Sequence, residues 1–261
     1  TSSNSLHLAF DCESVDDTRK PEKLIRLNPL DMILMSPIDG TVPKAGTAIE
    51  LSLIAHIYRR IPAFCSIPEN KGLGPQTIFN ITTANDAMDL LQPGESIVKP
   101  EQVLTQRQSK NWLPLMEGKF ITNFSCRNSS FREGSRDEIL KGSSKKIELD
   151  AKGLAVEPAM PRWWMKASDV NKRMLQLGIK TTWMLGFCDV TNAENQRTAL
   201  CSFLPATAAA HTLWIFTGEL TFSYACMICA CINSLAFDYV AKRRVSSRHL
   251  TKAIFLQLPM L

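Results

Sequence analysis

Between Arg197 and Asp238 the chain carries one charge, Glu219, and then turns abruptly basic, with Lys242-Arg243-Arg244 followed by Ser246-Ser247-Arg248-His249. So apolar a stretch has to be buried, in a protein core or in a membrane, and its burial fixes what the basic residues behind it can reach. Leu220 to Phe237 is eighteen residues without a charge, which meets the length of a membrane span, and the cations behind it would suit one. Ser223, Tyr224, Asn233, Ser234 and three cysteines lower its hydrophobicity, so a buried helix over about residues 219–240 fits the composition better than a span.

Charge is unevenly distributed. Residues 1–98 carry 8 Lys and Arg against 12 Asp and Glu, and residues 99–182 carry 16 against 9. Residues 183–238 carry 1 against 4, and residues 239–261 carry 5 against none. Two basic regions around an apolar one suggest a charged face laid over a core. For the middle region the plainer alternative is a solvated surface. The eight cysteines are irregularly spaced, three of them inside the apolar run, and read as buried free thiols of a cytoplasmic protein.

Several local patterns predict elements. Leu6 to Phe10 and Leu24 to Leu27 read as short strands, and Asn28-Pro29, Ser36-Pro37, Asp39-Gly40 and Pro43 read as loop punctuation. Thr47 to Arg60 reads as a helix opened by a Thr47/Glu50 capping box and closed by Ile61-Pro62. A strand is expected over Gln76–Ile81, a short helix over Asn85–Leu91, and a loop from Leu113 entering a strand that runs to Phe124. Residues 127–153, polar and basic, read as a mobile insertion or DNA-facing loop. Ala167–Leu177 reads as a helix, and Trp183–Val190 and Thr198–Phe203 as paired strands.

Catalytic patterns are missing from the sequence. There is no P-loop and no Gly-x-Gly-x-x-Gly, and His7, His56, His211 and His249 form no metal spacing. Cys226, Cys229 and Cys231 read as small buried hydrophobes rather than ligands, because no second Cys or His pair completes a tetrahedral set. Asn28-Pro29-Leu30 lacks the second Pro and the aromatic that an amino-methyltransferase motif needs to hold a flipped base. Trp112, Trp163 and Trp164 read as core or loop anchors before base-stacking groups. Arg197 has two readings: it caps its turn and pairs with Glu194, or it reaches a base or phosphate. Lys242, Arg243, Arg244, Arg248 and His249 follow a helix end whose dipole favours cations, yet they exceed what capping needs, which points to phosphate contact.

In order along the chain, these pieces resemble the C-terminal target-recognition region of type IIG-like restriction–modification enzymes and related adenine-specific DNA methyltransferases. Four segments carry the resemblance. They are Leu27-Asn28-Pro29 to Pro43 with Glu50-Leu51 and Ile57 to Pro62; Leu113 to Ile121 with Arg127; Leu185 to Val190 with Arg197 to Leu200 and Leu204-Pro205; and Leu235 to Lys242 with Ser247, His249-Leu250 and Gln257-Leu258-Pro259. The pattern departs from the usual one at Lys242, where Arg is common, at Ser246 and Ser247, where Gly is common, and near Lys44-Ala45-Gly46.

The resemblance implies a piece of a larger, cytoplasmic phage-defence protein. An upstream methyltransferase domain would bind S-adenosylmethionine and modify adenine, and this part would grip double-stranded DNA and choose the sequence. No catalytic residue and no cofactor are expected in the chain itself. The expected fold is α+β, a mixed sheet with packed helices and basic DNA-facing loops. Residues 1–110 are expected to form a subdomain linking to the methyltransferase, and residues 111–261 the target-recognition subdomain. The expected DNA-binding residues are Arg127, Arg197, Thr198, Lys242, Arg243, Arg244, Ser247, Arg248 and His249. Arg197 would read a base, and Lys242–Arg244 would hold phosphates. The alternative is a non-catalytic interaction module that docks a partner through the apolar 199–237 stretch.

Overall fold

The computed structural model describes residues 5–10, 12–83 and 87–260. Among them the strands are β1 (Leu6–Ala9), β2 (Leu24–Leu27), β3 (Gly74–Gln76), β4 (Met88–Leu90), β5 (Trp112–Met116), β6 (Ser129–Ser130), β7 (Lys145–Lys146), β8 (Trp163–Lys166), β9 (Trp183–Cys188), β10 (Cys201–Pro205), β11 (Ala208–Ala209) and β12 (Leu213–Thr217). The helices are α1 (Pro29–Met35), α2 (Ala48–Tyr58), α3 (Pro93–Ser96), α4 (Pro100–Ser109), α5 (Arg136–Lys141), α6 (Ala167–Gln176), α7 (Phe222–Ile232), α8 (Leu235–Arg244) and α9 (Lys252–Leu256). The fold is mixed α+β.

The chain divides into two compact units. One comprises Thr1–Gly72, Thr191–Ala199 and Ala230–Leu261, and the other Leu73–Val190 and Leu200–Cys229. This division does not follow a cut between residues 110 and 111. Residues 73–110 fold with 111–190, and the C-terminal helices fold with the N-terminal ones.

In the first unit, α1 begins where the sequence suggests a loop. The Asn28 side chain accepts a hydrogen bond from the Leu30 N–H (2.9 Å), and Pro29 occupies the first helical position, where its missing N–H costs nothing. Thr47 caps α2 by accepting from the Glu50 N–H (3.1 Å), while the Glu50 carboxylate reaches the Gly46 N–H (2.8 Å). Leu51, Ile54, Ala55 and Tyr58 are the buried face of α2, whereas Ile49 and Leu53 are exposed. The core continues through Phe64, Phe255 and Phe237, with ring centroids 5.2 and 6.1 Å apart. Burying each such side chain contributes about 1.5–3 kcal/mol.

The second unit holds two four-stranded sheets, in the orders β10-β9-β12-β3 and β11-β5-β8-β4. The first is antiparallel. The second is mixed, because β11 runs parallel to β5. The expected pairing of Trp183–Val190 with the strand after Arg197 is present as β9 with β10. Trp164 is fully buried in the core that also holds Leu115, Phe120 and Phe131, and Trp112 and Trp163 pack against that core half-buried. Residues 127–153 are not a free insertion. They form β6, α5 and β7, and Phe131, Ile139 and Ile147 anchor them in the core. Met88–Leu90, expected to be helical, is a strand, and residues 85–86 of that expectation lie outside the described residues.

The uncharged run is not one helix. Its first half makes β10, β11 and β12, and its second half makes α7 and α8, which meet at a 65° bend. Ser234 causes the break: its hydroxyl accepts from the Phe237 N–H (3.1 Å), which starts a new helix. Among the described residues no single helix is long and apolar enough to cross a membrane. The strand half of the 199–237 stretch is mostly buried, whereas the helical half also has an exposed side, where Phe222, Met227 and Leu235 are the exposed large apolar side chains.

Candidate nucleic-acid interface

The last turn of α8 carries Lys242, Arg243 and Arg244, where the helix dipole favours cations. Their side chains turn back into the first unit. Arg244 donates to the Met35 carbonyl, the Ser36 hydroxyl (2.7 Å) and the Thr41 hydroxyl (3.1 Å). Arg243 pairs with Glu50, lies 5.2 Å over the Tyr239 ring, and accepts from the Lys44 N–H at its carbonyl (2.7 Å). Lys242 donates to the Gln196 carbonyl (3.0 Å) and sits 3.7 Å from Asp238. These three expected phosphate contacts brace the loops around residues 35–50 and 196 against α8.

Arg197, the expected base reader, is engaged the same way. Its guanidinium donates to the carbonyls of Asn233 (2.6 Å) and Ser234 (3.3 Å), just past the end of α7, where helix carbonyls lack intrahelical partners. Its ion-pair partner is Asp238, at 3.5 Å, and not the expected Glu194. Asp238 also accepts from the Thr198 N–H (2.7 Å) and the Ala199 N–H (2.8 Å). Thr198 is fully buried, and its hydroxyl donates to the Asn192 carbonyl (3.0 Å), so it cannot touch DNA in this structure. Asp238 is therefore the hub of the cluster, and the sequence reading missed it. Its signal was an acid standing alone in an apolar helix, four residues before the first cation.

The remaining expected residues point outward. Ser246, Ser247, Arg248 and His249 are exposed, between a buried Val245 and a fully buried Leu250. The Thr191 N–H donates to the Arg248 carbonyl (3.0 Å) and fixes the turn's backbone. Among the described residues the Arg248 guanidinium makes no hydrogen bond or ion pair. In the second unit Arg127 is exposed in the same way, its backbone N–H donating to the Ser125 hydroxyl (3.2 Å), and its guanidinium makes no hydrogen bond or ion pair among the described residues.

The Glu117-Gly118-Lys119 segment of the second unit is built into the interior. Arg162 forms a two-bond pair with Glu117 (2.9 Å each) and donates to the last carbonyls of α5, Ile139 and Leu140. Gly118 is required by close approach, since a Cβ there would lie 2.4 Å from the Thr212 carbonyl oxygen. Lys119 donates to the Gly142 carbonyl, and burial, aided by Arg162, holds its ammonium below the usual lysine range.

All eight cysteines are free thiols. Cys188, Cys201, Cys229 and Cys231 are buried as expected, but Cys12, Cys65 and Cys226 are exposed. Burial pushes the Cys188 thiol up to about 12. Among the described residues no group of three His, Cys, Asp or Glu could hold a metal ion. The chain matches no known protein family and no curated protein.

Proposed function

We propose that the chain is the DNA sequence-recognition part of a restriction–modification or phage-defence N6-adenine DNA methyltransferase acting in the cytoplasm. It is not catalytic alone. In this reading S-adenosylmethionine and the target adenine belong to another domain of the same protein. The observation that carries the proposal is the division of the basic cluster. Arg197, Lys242, Arg243 and Arg244 are bound up internally, whereas Ser247 and Arg248 stand in solvent on a turn whose ends are tied down. A cation held on a fixed backbone, without an internal partner, suits phosphate or base-edge contact. Arg127 offers a second such cation, on the other unit.

Exposed apolar surface supports membership of a larger protein. The contacting helices α1 and α2 leave Leu30, Ile33, Leu34, Ile49 and Leu53 exposed, and surfaces of this kind are ordinarily covered by another domain or partner. The interaction-module alternative is narrowed to the exposed Phe222, Met227 and Leu235, because the strand half of the 199–237 stretch is mostly engaged in the chain's own core.

The test is the salt dependence of binding to a fluorescein-labelled, random-sequence duplex pool. The wild-type chain is expected to bind, and its affinity to fall steeply with salt. Arg127→Ala with Arg248→Ala should weaken binding and lower the slope of log affinity against log salt by about one for each phosphate no longer held. An unchanged slope removes these two residues from the interface, and absence of wild-type binding at low salt defeats the DNA reading.

A further inference from the structure

We propose that Phe124 is a wedge that inserts into the DNA base stack, held ready by a strained turn. The inference rests on the DNA-binding reading above and adds the residue that would distort the duplex. Thr122 to Ser125 form a two-residue turn closed from both sides, the Thr122 N–H donating to the Ser125 carbonyl (2.8 Å) and the Ser125 N–H to the Thr122 carbonyl (3.3 Å). Phe124 takes the second central position with φ 61°. Gly or Asn normally fills such a left-handed position, and an aromatic side chain there is an energetic cost. Asn111 and Glu133 are the other non-glycine residues with positive φ among those described. Asn tolerates the conformation, and Glu133 is held there by ion pairs with Arg132 and Lys145. The residue Phe124 is 64% exposed, so packing of its side chain does not account for the conformation.

The conformation is nonetheless fixed. The Phe124 N–H donates to the Cys201 carbonyl of β10 (3.1 Å), which pins the turn to the sheet and projects the ring into solvent. Strain that persists at an exposed position, against the gain that a flexible polar residue would bring, points to use of the side chain.

Its surroundings say what would receive it. From Lys119 to Lys146 the chain carries seven Lys and Arg against three Asp and Glu. Arg127 follows three residues after Phe124. Lys146 lies on the neighbouring strand β7, whose next residue, Ile147, donates to the Asn128 carbonyl (3.1 Å). Both cations are exposed, and neither forms an ion pair among the described residues. An exposed apolar ring, with exposed cations three residues on and on the strand paired with the residues after it, fits a polyanion with an apolar interior. Duplex DNA is one, and proteins that deform it insert such side chains between base steps while cations hold the adjacent phosphates.

The experiment uses two probes with the full chain: a fluorescein-labelled random-sequence duplex pool for affinity, and the same pool with 2-aminopurine at adenine positions, which brightens when a base unstacks. Wild type is expected to bind and to brighten the 2-aminopurine. Phe124→Ala and Phe124→Gly should bind about tenfold more weakly, without brightening. Phe124→Gly should also melt at or above the wild-type temperature, because glycine relieves the left-handed strain, and Phe124→Trp should keep both signals. If Phe124→Ala binds and brightens as wild type does, the wedge is overturned and the DNA-binding reading stands. If Phe124→Gly unfolds the second unit, the ring is structural and the wedge is equally overturned. If wild type binds neither probe, both readings fall.

Discussion

Arg244 and Arg248 are four residues apart, and the fold turns one inward and the other outward. Arg244 finds the Met35 carbonyl and the Ser36 and Thr41 hydroxyls within reach, and it cements the loop after α1 to the end of α8. Arg248 sits past the buried Val245, on a turn whose carbonyl is held by the Thr191 N–H, and its exposed guanidinium makes no hydrogen bond or ion pair among the described residues. Two identical side chains in one basic run thus take different roles, set by which carbonyls and carboxylates the helix end brings near them. Counting charge identifies the run but cannot sort its members.

The sharpest way to break the inward set is at its hub. Asp238→Ala leaves the Thr198 and Ala199 N–H groups and Arg197 without their buried acceptor, and should cost about 3–5 kcal/mol of stability, read from the urea midpoint. Asp238→Asn should cost less, since an amide oxygen can still accept. A loss below that of an ordinary surface change would show that the hub is dispensable. Arg244→Ala should come next, at about 1.5–3 kcal/mol, because its bonds involve a charged donor.

Tyr58 sharpens the comparison from the core side. Its hydroxyl donates to the Gln257 carbonyl (2.7 Å), and burial raises its pKa from 10.0 to about 12. The folded chain holds this proton while the unfolded chain releases it, so the contribution to stability is full below pH 10.0 and is lost as pH rises toward about 12. Tyr58→Phe should cost about 0.5–1.5 kcal/mol at neutral pH. Its alkaline loss of stability should be shallower than that of wild type, and parallel curves would contradict the assignment. The smallest stability effect belongs to Arg248→Ala, within about 0.5 kcal/mol of wild type.

Much of this architecture is legible in the sequence. The β9–β10 pairing, α6 and the capped α2 follow from alternation, helical spacing and Thr47. Other features were hidden for physical reasons. Asn28-Pro29 resembles a turn because the residues that cap a helix also make turns. One uncharged run became strands and two helices because periodicity over a continuous apolar stretch does not separate them, and Ser234 alone marks the break. The assignment of Arg197 depended on partners 36 and 37 residues away, the Asn233 and Ser234 carbonyls, which no local pattern reveals. Residues 127–153 look like a loop by composition, yet three spaced apolar side chains, Phe131, Ile139 and Ile147, suffice to fix them.

The most direct measurement compares Arg244→Ala and Arg248→Ala side by side, each by urea unfolding and by titration with the random-sequence duplex pool. Arg244→Ala is expected to lose stability while its folded fraction binds DNA as wild type does, and Arg248→Ala to keep its stability and lose affinity. The opposite pattern, with Arg244→Ala losing affinity at full stability and Arg248→Ala unchanged on DNA, would contradict the division of the cluster into an inward brace and an outward contact.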